Sequence, residues 1–66
     1  MQYNEIYSIE NENSFLSIRQ HKNIKQCYKA FITINGIDKP SVSFIAKNKE
    51  ILNQRISELL KQFNFE

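Results

Sequence analysis

The dipeptide Asn35-Gly36 lies between two runs of alternating side chains, Tyr28–Ile34 and Ser41–Ala46. Asn-Gly is the strongest short signal for a two-residue hairpin, because both central residues of a type I′ turn need positive φ. Such a turn commits the flanking runs to antiparallel pairing and sets their register. In the first run Tyr28, Ala30, Ile32 and Ile34 share one face, and Lys29, Phe31 and Thr33 share the other. In the second, Val42, Phe44 and Ala46 oppose Ser41, Ser43 and Ile45. Unbroken pairing from the turn would set Ile32 against Lys39 and Ala30 against Ser41. A one-residue slip exchanges the two faces, so the serines would enter the core and Val42 and Phe44 would leave it. One extra residue restores the match. A bulge at Lys39–Pro40, where the missing proline N–H is tolerated, pairs Ala30 with Val42 and Tyr28 with Phe44. A wide loop over residues 35–39 is the other solution.

Upstream, Leu16 and Ile18 alternate with Phe15, Ser17 and Arg19, which predicts a strand over 14–19. A further strand from Tyr3 to Ile9, closed by a turn at "ENEN" (10–13), is consistent with the pattern. Downstream the period changes. In "NKEILNQRISELLKQFNF" the side chains of Leu52, Ile56, Leu59, Leu60 and Phe63 fall within an arc of about 100° on a helix. Asn48 is the expected N-cap, and Glu50 would sit in the first turn, where the helix dipole favours an anion. Arg55 lies on the flank of the apolar stripe, its stem free to cover the sheet.

The predicted architecture is therefore α+β: one domain over 1–66, a three- to four-stranded antiparallel meander with one C-terminal helix packed on one face. Its core is Leu16, Ile18, Tyr28, Ala30, Ile32, Ile34, Val42, Phe44 and the helix stripe. A chain of 66 residues buries only about 60% of the surface its unfolded form exposes, so its stability margin is small. One helix covers one face. The opposite face, carrying Phe15, Arg19, Lys29, Phe31, Thr33, Ser43 and Ile45, stays open.

The chemistry-bearing residues are few. His21 and Cys27 are the sole soft metal ligands, and a structural zinc needs four, so no metal is expected. The same pair lacks an orienting third group and a cleft, so no catalytic residue is nominated and no enzyme is expected. The single Gly36 excludes a glycine-rich phosphate cradle and its nucleotide cofactor. A lone Cys27 excludes an internal disulfide, and "MQYNEIYSIENEN" has neither the basic nor the apolar region of a signal peptide. No apolar run approaches the roughly 18 residues that span a bilayer. A cytoplasmic protein without membrane contact is the expectation.

The net charge of +2 is unevenly spread. Glu5, Glu10 and Glu12 precede any base. Arg19, Lys22, Lys25, Lys29, Lys39, Lys47 and Lys49 follow against Asp38 alone. A basic block in mid-chain favours an acidic partner. On the open face Arg19 and Lys29 would neighbour Phe15 and Phe31, with Lys22 and Lys25 at its end. Bases bind phosphates, and aromatic rings stack on nucleobases.

The stretch "YKAFITINGIDKPSVSFIAKNKEILNQRISELL" resembles the three-stranded-sheet-plus-helix DNA-binding modules of the AP2 type, including the arm-site-binding domains of tyrosine integrases. The shared features are the aromatic-led strand at Tyr28, the Asn35-Gly36 turn with Lys39 after it, the strand ending at Phe44 and the amphipathic helix from Asn48. The resemblance implies that the sheet face opposite the helix enters the major groove, which nominates Arg19, Lys29, Phe31, Thr33 and Ser43. The leading expectation is thus a nucleic-acid-binding protein, DNA before RNA, using Phe15, Arg19, Lys22, Lys25, Lys29, Phe31, Thr33 and Ser43. The alternative is a small phage or mobile-element protein that docks on and inhibits a host protein. Self-association into a homodimer would equally explain exposed Phe31 and Ile45.

Overall fold

In the computed structural model, which describes residues 2–65, four strands and one helix follow in chain order. They are β1 (Tyr3–Asn11), β2 (Ser14–His21), β3 (Cys27–Ile34), β4 (Ile37–Ile45) and α1 (Lys49–Gln62). Each strand pairs antiparallel with the next, in the order β1-β2-β3-β4. The thinnest dimension, 16 Å, is one sheet with one helix laid on it.

The turn behaves as its sequence demands. Asn35 and Gly36 have φ of 52° and 79°, the two positive values of a type I′ turn, and Ile34 pairs with Ile37 across it. The register then shifts between Ala30 and Ile32, and Ala30 meets Val42 while Tyr28 meets Phe44. The bulge therefore exists and the wide loop does not. Lys39 keeps its place opposite Ile32, so the two residues that share the single position of Phe31 are Pro40 and Ser41, one step beyond the expected site. Tyr28 and Phe44 stack with ring centroids 5.6 Å apart.

β1 completes the sheet as a fourth strand and runs to Asn11, past the expected end at Ile9. The turn to β2 needs only Glu12 and Asn13, with Glu12 at φ 54°, so Glu10 and Asn11 are ladder residues rather than turn residues. The two hairpin turns lie side by side. The Gly36 N–H donates to the Asn13 carbonyl at 2.9 Å, and the Asn35 N–H donates to Ser14 Oγ at 3.1 Å.

The helix begins as expected. Asn48 is extended, and its Oδ1 accepts the Ile51 N–H at 2.9 Å. Its end holds a feature absent from the expected stripe. Asn64 takes φ 60°, the Asn64 N–H donates to the Lys61 carbonyl, and the Phe65 N–H donates to the Leu60 carbonyl at 2.8 Å. This is a Schellman motif with asparagine in the left-handed position. It folds Phe65 back under the helix, where the ring is buried with Leu16, Ile18, Ala30, Ile32 and Leu59.

Val42 departs from the expected core. It has the predicted register and is 37% exposed. The reason is width. Four strands about 4.8 Å apart outspan a helix whose side-chain diameter is roughly 10 Å. The helix seats on the strands bearing Leu16, Ile18, Ala30 and Ile32, and β4 is left beyond it, exposed along its length except at Phe44. Between them runs a groove of about 160 Å³, lined by Val42, Phe44, Arg55, Glu58, Leu59 and Gln62.

Candidate functional site

The sheet face opposite α1 is organised around Ser17. This residue points away from the helix, yet it is fully buried. Its hydroxyl donates to Glu5 Oε1 at 2.6 Å and accepts from Arg19 Nε at 3.2 Å. Arg19 then lays its guanidinium over the Phe31 ring, 4.5 Å from the centroid. Phe31 is the direct neighbour of Ser17 on β3, so the ring and the guanidinium together roof the hydroxyl. A cation over an aromatic face gains about 0.5–1 kcal/mol where solvent reaches it.

Lys29 is the second cation of this cluster and pairs directly with Arg19 across the ladder. Like charges at opposed positions repel. Lys29 relieves this by directing its ammonium toward two rings, with Nζ 5.4 Å from the Tyr3 centroid and 5.8 Å from that of Phe31. Tyr3 meets His21 edge to face at 4.9 Å. His21 Nδ1 in turn accepts the N–H groups of Asn23 and Ile24, each at 3.0 Å, which leaves the ring proton on Nε2 and pins the start of the β2–β3 connection. Lys22 and Lys25 are exposed on that connection.

The register thus gathers Phe15, Arg19, Lys29, Phe31, Thr33 and Ser43 on one face, with Lys22 and Lys25 at its end. They do not form one patch. Phe15 and Thr33 pair at the hairpin-turn end, and Thr33 Oγ1 donates to Asp38 Oδ1 at 2.9 Å. Arg19, Lys29 and Phe31 lie toward the other end, beside Lys22 and Lys25. Acidic side chains share the face: Glu10 opposite Phe15, Asp38 opposite Thr33, and Glu5 opposite Arg19. Positive charge collects toward the β2–β3 connection, with Glu5 among it, and Glu10 and Asp38 lie toward the hairpin turns. Among the described residues the one ion pair lies elsewhere, Arg55 with Glu58 at 3.3 Å on the helix.

Comparison with protein-family models, with curated proteins and with solved structures found no match.

Tyr3, Glu5 and His21 belong to this face and were not nominated from sequence. Tyr3, Glu5, Tyr7 and Ile9 alternate in perfect parity and read as one set. The ladder shifts between Glu5 and Tyr7, with Ile6 as the extra residue. Tyr7 and Ile9 therefore pack against the core, while Tyr3 and Glu5 turn to the open side. Two near-adjacent acidic and aromatic residues upstream of the basic block were the available signal. Among the described residues no three His, Cys, Asp or Glu side chains converge as a metal site would require, and no helix is long and apolar enough to cross a membrane.

Proposed function

We propose that this chain is a non-enzymatic binding module that takes nucleic acid, DNA in preference to RNA, on the sheet face opposite α1. The observation that carries this reading is the pairing of Arg19 with Lys29 beside Phe31. Opposed cations repel, and here aromatic rings hold both heads, while Glu5, opposite Arg19, reaches it through the Ser17 hydroxyl and not as a direct ion pair. Lys22 and Lys25 extend the same positive zone along a strand end. Phosphates would lie across Arg19, Lys22, Lys25 and Lys29, with Phe31 and Tyr3 against sugars or bases. The AP2-type resemblance implies a major groove against this face, and the excess of positive charge favours its β2–β3 end. Thr33, Ser43 and Phe15 are then peripheral.

Fluorescence anisotropy with a labelled duplex tests this. Affinity should fall steeply between 50 and about 200 mM salt, and Lys29→Glu should weaken binding by more than about tenfold. Glu10→Lys, at the acidic end, should strengthen it. Binding that ignores salt, or no binding at low salt, would end the reading.

A second reading is favoured by the Ser17 network. Arg19 already covers Phe31, which leaves less ring for a stacked base, and the face carries Glu5. A host protein with an acidic docking segment would suit the same cluster, as for a small phage or mobile-element inhibitor. Capture of one defined protein after nuclease treatment, lost in Phe31→Ala, would support it; capture abolished by nuclease would not.

A further inference from the structure

We infer that His21 is a proton-operated pin for the β2–β3 connection, and that acidification frees Asn23, Ile24 and Lys25 while the sheet stays intact. The inference concerns the free chain and does not rest on nucleic-acid binding. His21 Nδ1 accepts the N–H groups of Asn23 and Ile24, each at 3.0 Å. A ring nitrogen accepts only while it carries no proton, and imidazolium has an N–H at both. Turning the ring over offers the two amides the Cδ2 hydrogen instead. Protonation therefore removes both bonds at once, whichever way the ring faces.

Elsewhere the chain does the same work with oxygen. Asn48 Oδ1 accepts the Ile51 N–H at 2.9 Å, and Ser14 Oγ accepts the Asn35 N–H at 3.1 Å. Amide and hydroxyl oxygens do not titrate near neutrality. Among the described residues His21 is the one titratable side chain that accepts from backbone N–H groups.

The ends of the connection are held without the imidazole. The Lys22 N–H donates to the Gln2 carbonyl at 2.8 Å. The Ala46 N–H donates to the Gln26 carbonyl at 3.0 Å, and Gln26 Nε2 donates to the Lys47 carbonyl at 3.3 Å. Release is thereby bounded to Asn23–Lys25. The two freed N–H groups are exposed and pass to water, so no buried donor is orphaned. Ile24 is already 56% exposed, so little apolar burial opposes the movement.

The groups around His21 favour the same direction. Tyr3 on β1 meets the ring edge to face, and Lys29 on β3 directs its ammonium to that same Tyr3 ring. Glu5, Arg19 and Cys27 share the sheet face, Lys22 and Lys25 stand on the connection, and Lys47 meets it through a carbonyl. An imidazolium thus arrives among cations, and Glu5, the one carboxylate of the set, is engaged by Ser17. Charge repulsion adds to the loss of the bonds. Because the proton enters the released form and not the pinned one, lowering the pH favours release. The proton then sets whether Lys25 keeps a fixed place relative to the anchored Lys22.

The test is heteronuclear NMR of the full chain from about pH 8 to about pH 4.5, a span that brackets the charge change of an imidazole. At the alkaline end the ring should show the Nε2–H tautomer, and backbone order parameters of Asn23, Ile24 and Lys25 should be about 0.85. As His21 takes up its proton they should fall below about 0.6, with the amides of β2 and β3 unchanged. His21→Asn sets a non-titrating oxygen where Nδ1 stands, so the same amides should stay ordered across the span. His21→Phe keeps a ring against Tyr3 without an acceptor, so they should be mobile throughout. The inference is overturned by wild-type connection amides that ignore pH, or by an Nδ1–H tautomer at the alkaline end. A connection ordered in His21→Phe, or disordered in His21→Asn at the acid end, overturns it too. So does loss of the β2 and β3 amides together with the connection, which would be unfolding rather than local release.

Discussion

At the scale of single residues, the polar network beneath the open face and the glycine of the main turn carry separable costs. Ser17 satisfies a carboxylate and a guanidinium at once from a fully buried position. Glu5 and Arg19 can both regain water when the hydroxyl is removed, so Ser17→Ala should cost about 1 kcal/mol in urea denaturation. It should also release Arg19 from Phe31 and so sharpen the salt dependence of any phosphate binding. Gly36 differs in kind. A Cβ there would meet nothing within 4 Å, yet φ is +79°. Gly36→Ala should therefore cost about 1 kcal/mol from backbone strain alone, with the hairpin register intact by amide exchange. A loss of several kcal/mol would mean that the turn is packed more tightly than its surroundings show.

At the scale of elements, the end of α1 contributes more than its sequence advertises. Phe65 lies outside the helix, past the last residue of the apolar stripe, and still enters the core. Phe65→Ala should cost about 3 kcal/mol, the range of a buried ring at a site that can partly relax. Asn64→Gly should be neutral or stabilising, because glycine adopts φ 60° more readily than asparagine. If Phe65→Ala melts like the wild type, the Schellman cap is not holding the ring in place. The same contrast shows what was legible. The strand faces around Asn35-Gly36 followed from parity; the conflict between turn and hydrophobic pattern called for a bulge or a wide loop, and the structure has the bulge, one step from the expected site. The Ile6 bulge had no such conflict to reveal it. Tyr3, Glu5, Tyr7 and Ile9 make an acceptable alternating strand, so nothing local announces that the set divides between two faces.

At the scale of the whole molecule, one helix on four strands leaves two unfinished surfaces, the open face and the β4 edge. A small domain with a thin core gains disproportionately from any further burial.

The elements themselves were written in the chain. A type I′ turn, a bulge that rescues alternation, an N-cap and a 3.6-residue period each depend on residues within a few positions of one another, and local chemistry suffices to specify them. Coverage was decided only in three dimensions. That Val42 is left 37% exposed while Phe65 lies in the core depends on where a helix of fixed width settles on a wider sheet. That Tyr3 and Glu5 join Arg19 and Lys29 depends on strand partners fourteen or more residues away in sequence. Neither relation has a local signature, because each is set by the packing of whole elements against each other.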